Sequence, residues 1–135
     1  MKLVMIINQE LPLGLIANTT AVLGLSLGER VPDLIGPDIQ DEEGIIHAGI
    51  TKVNIPVLGT SREQLKDLYE NLAREKFDEI TMIDFNTVAQ RSKCYEDYTI
   101  ALAATSKDEL DFLGVCLYGP EEKINKLTGN LRLLR

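Results

Sequence analysis

Asp84, Asn86 and Thr87 stand within four residues of one another at the end of an apolar stretch, Ile80-Thr-Met-Ile-Asp-Phe85. A carboxylate, an amide and a hydroxyl so placed can hold a polar ligand or orient a water. Open α/β sheets present such groups at the C-terminal ends of their strands. The same residues can also cap a following turn. His47 is the sole histidine, a side chain that titrates near neutral pH and can serve as a general base. With no paired nucleophile in the sequence, it reads equally as a loop or packing residue. Asn18 and Thr19 interrupt a segment otherwise rich in aliphatic residues. They can line a pocket or hydrogen-bond the preceding helical turn. Asn18, Thr19, His47, Asp84, Asn86 and Thr87 are therefore the candidate pocket residues, with no catalytic role assigned. No GxGxxG, P-loop, HExxH or GxSxG pattern occurs. Cys94 and Cys116 form no CxxC or Cys/His cluster, so no metal or cofactor is expected.

These residues must be positioned by elements that alternate along the chain. Leu3 to Ile7 is an unbroken apolar run, the pattern of a strand covered on both faces. Pro12 to Leu27 reads as a helix whose apolar side chains spread over most of its circumference. Residues 28–50 hold two of the five prolines and the acidic run Asp41-Glu-Glu43. They read as a long loop, mobile at Asp38 to Gly44, which is either a lid or a solvated connection. Thr51 to Leu58 reads as a strand in which Pro56 indicates an edge or a bulge. Ser61-Arg-Glu-Gln64 forms a capping box for an amphipathic helix carrying Leu65, Leu68, Tyr69, Leu72 and Ala73. Ile80 to Phe85 is a strand, 93–104 a helix with Tyr95 and Tyr98 as core or lid aromatics, and Leu110 to Tyr118 a further strand. Pro120 opens a terminal helix, Gly129 ends it, and Leu131 to Leu134 extends beyond as a short strand or edge segment. The expected fold is a single α/β domain over 1–135, with a mixed, mostly parallel sheet of about four strands and helices on both faces.

Charge narrows the partners. The 135-residue chain has a formal net charge of -7, which opposes binding to nucleic acid or anionic membranes. No base lies between Lys2 and Arg30, and residues 28–50 carry one arginine against six acids. The uncharged stretch Leu11 to Gly28 has Asn18, Thr19 and Thr20 at its centre, so a soluble helix is expected and not a membrane span. With two unpaired cysteines and no signal-peptide core, a reducing, cytoplasmic setting is expected. The apolar circumference of helix 12–27 exceeds what one sheet face can cover, so a homo-oligomer through that helix is expected, the alternative cover being the 28–50 loop folded back.

The C-terminal stretch Lys126-Leu-Thr-Gly-Asn-Leu-Arg-Leu-Leu134, following Tyr118-Gly-Pro120, resembles the signature of the peptidyl-tRNA hydrolase II fold. There a strand ends in Gly-Pro, a helix ends in Lys-Val/Leu-Thr-Gly, and a short Leu-Lys-Leu-Leu strand follows. Lys2 to Ile7 and then Glu10-Leu-Pro-Leu-Gly14 are similar to that family's first strand and its Asp-Leu-x-Met-Gly turn. His47-Ala-Gly-Ile50 ahead of Ile55-Pro-Val-Leu58 resembles a related family, domain of unknown function 2000. The resemblance implies the hydrolase scaffold without its activity. Leu15 stands where the hydrolases carry a lysine, and Ala21 or Val22 stands near their histidine. The hydrolases' Asp-Ala-Gly-x-Thr loop survives in part as Asp84-Phe-Asn-Thr87.

Two readings of function follow. The first is a small-molecule-binding or catalytically diverged domain. The alternative is a hydrolase of an ester or amide bond, with Asp84 and His47 acting around a bound water.

Overall fold

The computed structural model describes residues 1–75 and 78–135. One mixed sheet runs through it, built from β1 (Lys2–Asn8), β4 (Val57–Thr60), β5 (Thr81–Asn86), β6 (Phe112–Gly119) and β7 (Arg132–Leu133) in the order β5-β6-β1-β4-β7. Their neighbours in sequence are the helices α1 (Leu13–Arg30), α2 (Arg62–Glu75), α3 (Thr87–Arg91), α4 (Tyr95–Ala103) and α5 (Glu121–Thr128).

The continuous apolar runs take the centre of the sheet. In β1, Val4 and Ile6 face one layer, and Leu3, Met5 and Ile7 face the other. Leu23 and Leu27 of α1 pack with Leu3, Met5, Ile7, Phe85 and Cys116. Leu65 and Leu72 of α2 and Ile124 of α5 pack with Val4, Ile6, Val115 and Leu117. Helices therefore cover both faces of the sheet. Gly114 of β6 lets α1 come close: a methyl group there would lie 2.7 Å from both Ile7 Cδ1 and Thr19 Cγ2.

Several expectations are corrected. Only β1 and β4 pair in parallel, whereas β1–β6, β5–β6 and β4–β7 are antiparallel. The sheet is therefore mixed but not mostly parallel. The cause is β6, which runs opposite to β1 and β5 and is inserted between them, so that it breaks what would otherwise be a parallel pair. Leu131 to Leu134 supplies a fifth strand, since the Leu134 N–H donates to the Val57 carbonyl and β7 pairs with β4 at Leu58–Leu133. The expected strand at Thr51 to Leu58 begins only at Val57. Pro56 has no N–H to donate, although its carbonyl accepts from Met5 N at 2.9 Å. β7 takes the edge position that Pro56 suggested for this strand.

Segment 28–50 is not a featureless loop. Helix α1 continues to Arg30, a 3-10 turn spans Pro32–Leu34, and β2 (Ile39–Gln40) pairs antiparallel with β3 (Ile46–His47). Asp41 organises the tip, its carboxylate accepting from the Glu43 and Ile45 amides at 2.9 and 3.0 Å. Gly44 completes the turn with φ +87, a region that glycine enters without strain. Leu34 is buried against α1, so the base of this segment contributes to the core while its tip does not. Among the described residues no helix is long and apolar enough to cross a membrane.

Candidate ligand-binding cleft

β5 lies at the free edge of the sheet, and α3 and α4 fold back across that edge. Alternation in β5 sends Ile83 and Phe85 towards α1. A register shift between Phe85 and Asn86 ends the ladder. Asn86 then leaves the strand as the N-cap of α3, its Oδ1 accepting from Ala89 N at 2.9 Å. The helical start is reinforced by Thr87 N, which donates to the Asp111 carbonyl at 2.9 Å.

Asn86 has a second role. Its Nδ2 donates to Asp84 Oδ2 at 2.9 Å and to the Tyr98 hydroxyl at 3.2 Å. The amide, 1% exposed, is thus engaged at both ends and sets a carboxylate beside a phenol. Because Tyr98 accepts from Asn86, its own O–H proton is free to donate elsewhere. Asp84 Oδ1 accepts no hydrogen bond among the described residues.

This pair borders a cleft of about 350 Å³ between β5, α1 and the α3–α4 corner. α1 contributes Val22, Ser26 and Arg30, which the i, i+4, i+8 spacing places on one stripe. The corner contributes Ser92, Lys93 and Cys94, and α4 contributes Tyr95 and Tyr98, whose rings meet edge to face at 5.6 Å. Arg30 and Lys93 have no carboxylate partner among the described residues. Cys94 caps α4 through its sulfur, which accepts from Asp97 N at 3.5 Å. On the other face of the sheet, Tyr69 stacks on Phe112 at 4.1 Å. Burial first, then the nearby Asp84 carboxylate and Tyr98, hold the Tyr69 phenol above its ordinary range.

The six candidate residues are distributed unevenly about this cleft. Asp84 lines it, and Asn86 lies beneath and organises it. Thr87 begins α3 and is half-buried outside the lining. Asn18 is exposed one turn before Val22, on the same stripe. Thr19 is fully buried against the sheet, and its hydroxyl donates to the Leu15 carbonyl at 2.7 Å. His47 is exposed on the β2–β3 hairpin, where its Nε2 lies 2.7 Å from Asp41 Oδ2, and it does not line the cleft. Arg30, Lys93 and Cys94 escaped notice because each sits at the end of an element. The i, i+4, i+8 spacing of Val22, Ser26 and Arg30 is a readable signal for a helix that continues past Gly28.

The arrangement can hold an anion at Arg30 and Lys93, accept a hydrogen bond at Asp84 and donate one from Tyr98. No histidine stands beside the Cys94 thiol in the lining, so it lacks a nucleophile–base pair of that type. Among the described residues no three His, Cys, Asp or Glu side chains are grouped to hold a metal ion.

The scaffold and cleft together define a mixed α/β domain with helices on both faces and a polar pocket at one sheet edge. Within that class, the chain belongs to the family described as protein of unknown function, DUF2000, whose pattern matches residues 1–135. The solved structure of Atu0240 from Agrobacterium tumefaciens strain C58, a protein of unknown function, is similar. It shares 19% identity and a TM-score of 0.86, over 98% of this chain and 96% of that one. No curated protein matches.

Proposed function

We propose that this protein binds a small polar molecule carrying an anionic group, in the cleft bounded by Asp84, Tyr98, Arg30 and Lys93. One observation carries the reading. Two cations with no carboxylate partner among the described residues line the same cleft as Asp84 and Tyr98, which Asn86 ties together at 2.9 and 3.2 Å. Buried amides engaged at both ends fix the groups that they touch, and small-molecule sites consist of a few such polar groups among apolar walls. The scaffold reads as a peptidyl-tRNA hydrolase II-like domain that has lost the hydrolase's lysine and histidine. The Gly119-Pro120 step into α5 and the antiparallel β7 support that view. The two free thiols suit a reducing, cytoplasmic setting.

The test is a thermal-shift screen of small carboxylates, phosphates, cations and neutral polar compounds, repeated on Arg30→Gln and Lys93→Gln. Anionic compounds are expected to raise Tm in the parent protein and to lose that effect in both variants. A screen in which no compound shifts Tm overturns the reading. The alternative, an ester or amide hydrolase, is supported by Asp84 Oδ1, which accepts no hydrogen bond among the described residues. It expects Asp84→Asn to lower turnover in any assay that detects it, with His47, which lies on the β2–β3 hairpin outside the cleft lining, no longer the partner of that carboxylate, and unchanged rates would retire it.

A further inference from the structure

The hairpin between Ile35 and Thr51 is an arm built with more care than a solvated connection requires. Its base is closed by an Ile35–Thr51 bridge, Gly36 N donating to the Ile50 carbonyl at 2.8 Å, and Lys52 N donating to the Leu34 carbonyl at 2.7 Å. The two strands cross so closely that a methyl group at Gly49 would lie 1.8 Å from the Gly36 carbonyl oxygen. Asp38 fixes the crossing by accepting from Gly49 N at 2.8 Å, and Asp41 fixes the tip. Residues 37–48 are all exposed, so none of this organisation serves the core.

The side chains on that frame are apolar. Ile39, Ile46 and Ile50 are 67%, 60% and 77% exposed, and Ile35 and Ile45 are exposed too. Facing pairs in an antiparallel ladder share one side. The register Ile39–His47 and Gln40–Ile46 therefore puts isoleucine on both faces of the arm. Its own domain cannot cover both.

The same chain carries a matching concave surface. Along the second half of α1, Gly24, Leu25, Ser26, Gly28, Glu29 and Arg30 border a groove of about 780 Å³ that ends at Ile35. Leu25 is 81% exposed there, and Leu13, Ala17 and Ala21 continue its stripe at i, i+4 spacing, also exposed. Glycines at 24 and 28 leave that stretch of helix low enough for a neighbouring backbone to approach.

We propose that the arm of one copy seats in the α1 groove of a second copy, and the reverse, to form a two-fold dimer. Projecting arm and receiving groove lie on one chain, so a single rotation satisfies both contacts at once. The exposed isoleucines and leucines together present apolar area on the order of the roughly 800 Å² per partner that a stable interface buries. The groove lining sets Arg30, which has no carboxylate partner among the described residues, beside Glu29, so the acidic tip Asp41–Glu43 meets one cation there and the apolar side chains carry the contact.

Sedimentation or light scattering across a concentration series tests the assembly. The parent chain is expected to be a dimer. An arm variant, Ile39→Asp with Ile46→Asp, and a groove variant, Leu25→Glu, should each weaken association roughly 100-fold. All three substitutions fall on exposed positions, so each variant should keep the parent's circular dichroism. Mixing the two variants restores one intact arm–groove contact, so the mixture should associate more strongly than either variant alone. A parent chain that stays monomeric at the highest concentration overturns the proposal and leaves the arm to a different protein. A dimer that survives both variants overturns it by placing the contact elsewhere.

Discussion

Asn86 shows how one buried amide can carry structure and site together. Replacing it with alanine removes the α3 cap and leaves Asp84 and Tyr98 without their shared donor, which should cost about 2–3 kcal/mol of stability. Denaturant unfolding of Asn86→Ala measures that loss. Asn86→Asp is the sharper comparison, because it keeps the capping oxygen and sets a second carboxylate against Asp84. Its stability should fall further as pH rises above the carboxylate range, whereas Asn86→Ala should show no such slope. The two cysteines give a second prediction at this scale. Burial pushes the Cys116 thiol up to about 12, whereas Cys94 is exposed on the cleft. A native-state alkylation assay should therefore modify one thiol quickly and the other only on unfolding, and a cleft ligand should slow the fast reaction. Equal rates for both thiols would contradict the burial of Cys116.

The β2–β3 arm and β5 mark the limits of sequence reading at the scale of elements. Leu3–Ile7 and Leu65–Leu72 announced themselves through unbroken and 3.6-residue apolar patterns, because their burial is dictated by one sheet and its covering layers. The arm did not, since its order rests on the side chain of Asp41 and on the closeness of Gly36 and Gly49, neither of which leaves a periodic trace. Asp84 and Asn86 were legible as a polar pair after a strand. Their partner Tyr98 and the cations Arg30 and Lys93 were not, because they reach the cleft only through tertiary packing. The arm also has a pH signature. The His47 hydrogen bond, then the Ile45 amide, hold the Asp41 carboxyl below its usual 3.8. A depressed value in the folded state means that the contribution is complete above the ordinary range and is lost as pH falls through the depressed one. The protection factors of the Glu43 and Ile45 amides, taken against the intrinsic exchange rate at each pH, should accordingly fall in acid, while those of β1 remain high. An arm equally protected at both extremes would show that Asp41 does not hold the turn.

Across the whole molecule, two cores lie back to back on β1 and β6, one sealed by α1 and the other by α2 and α5. The sequence pattern implied two covered faces, but the antiparallel insertion of β6 depends on strand order, which no local periodicity encodes. That order has an energetic consequence. Ile7 and Cys116 face α1, and Ile6 and Val115 face α2, so each central strand contributes alternate residues to both cores. Neither core can open without exposing backbone that the other also covers. Leu23→Ala and Leu65→Ala, at fully buried positions on opposite faces, should each cost roughly 2–5 kcal/mol. The side chains touch different layers, so the double variant should lose close to the sum, within about 0.5 kcal/mol. Unfolding followed by probes on α1 and on α2 should nevertheless give one coincident transition for the parent and for each single variant. Two separated transitions would mean that the central strands do not couple the layers, and that the α1 side, which bears the groove and one wall of the cleft, unfolds independently.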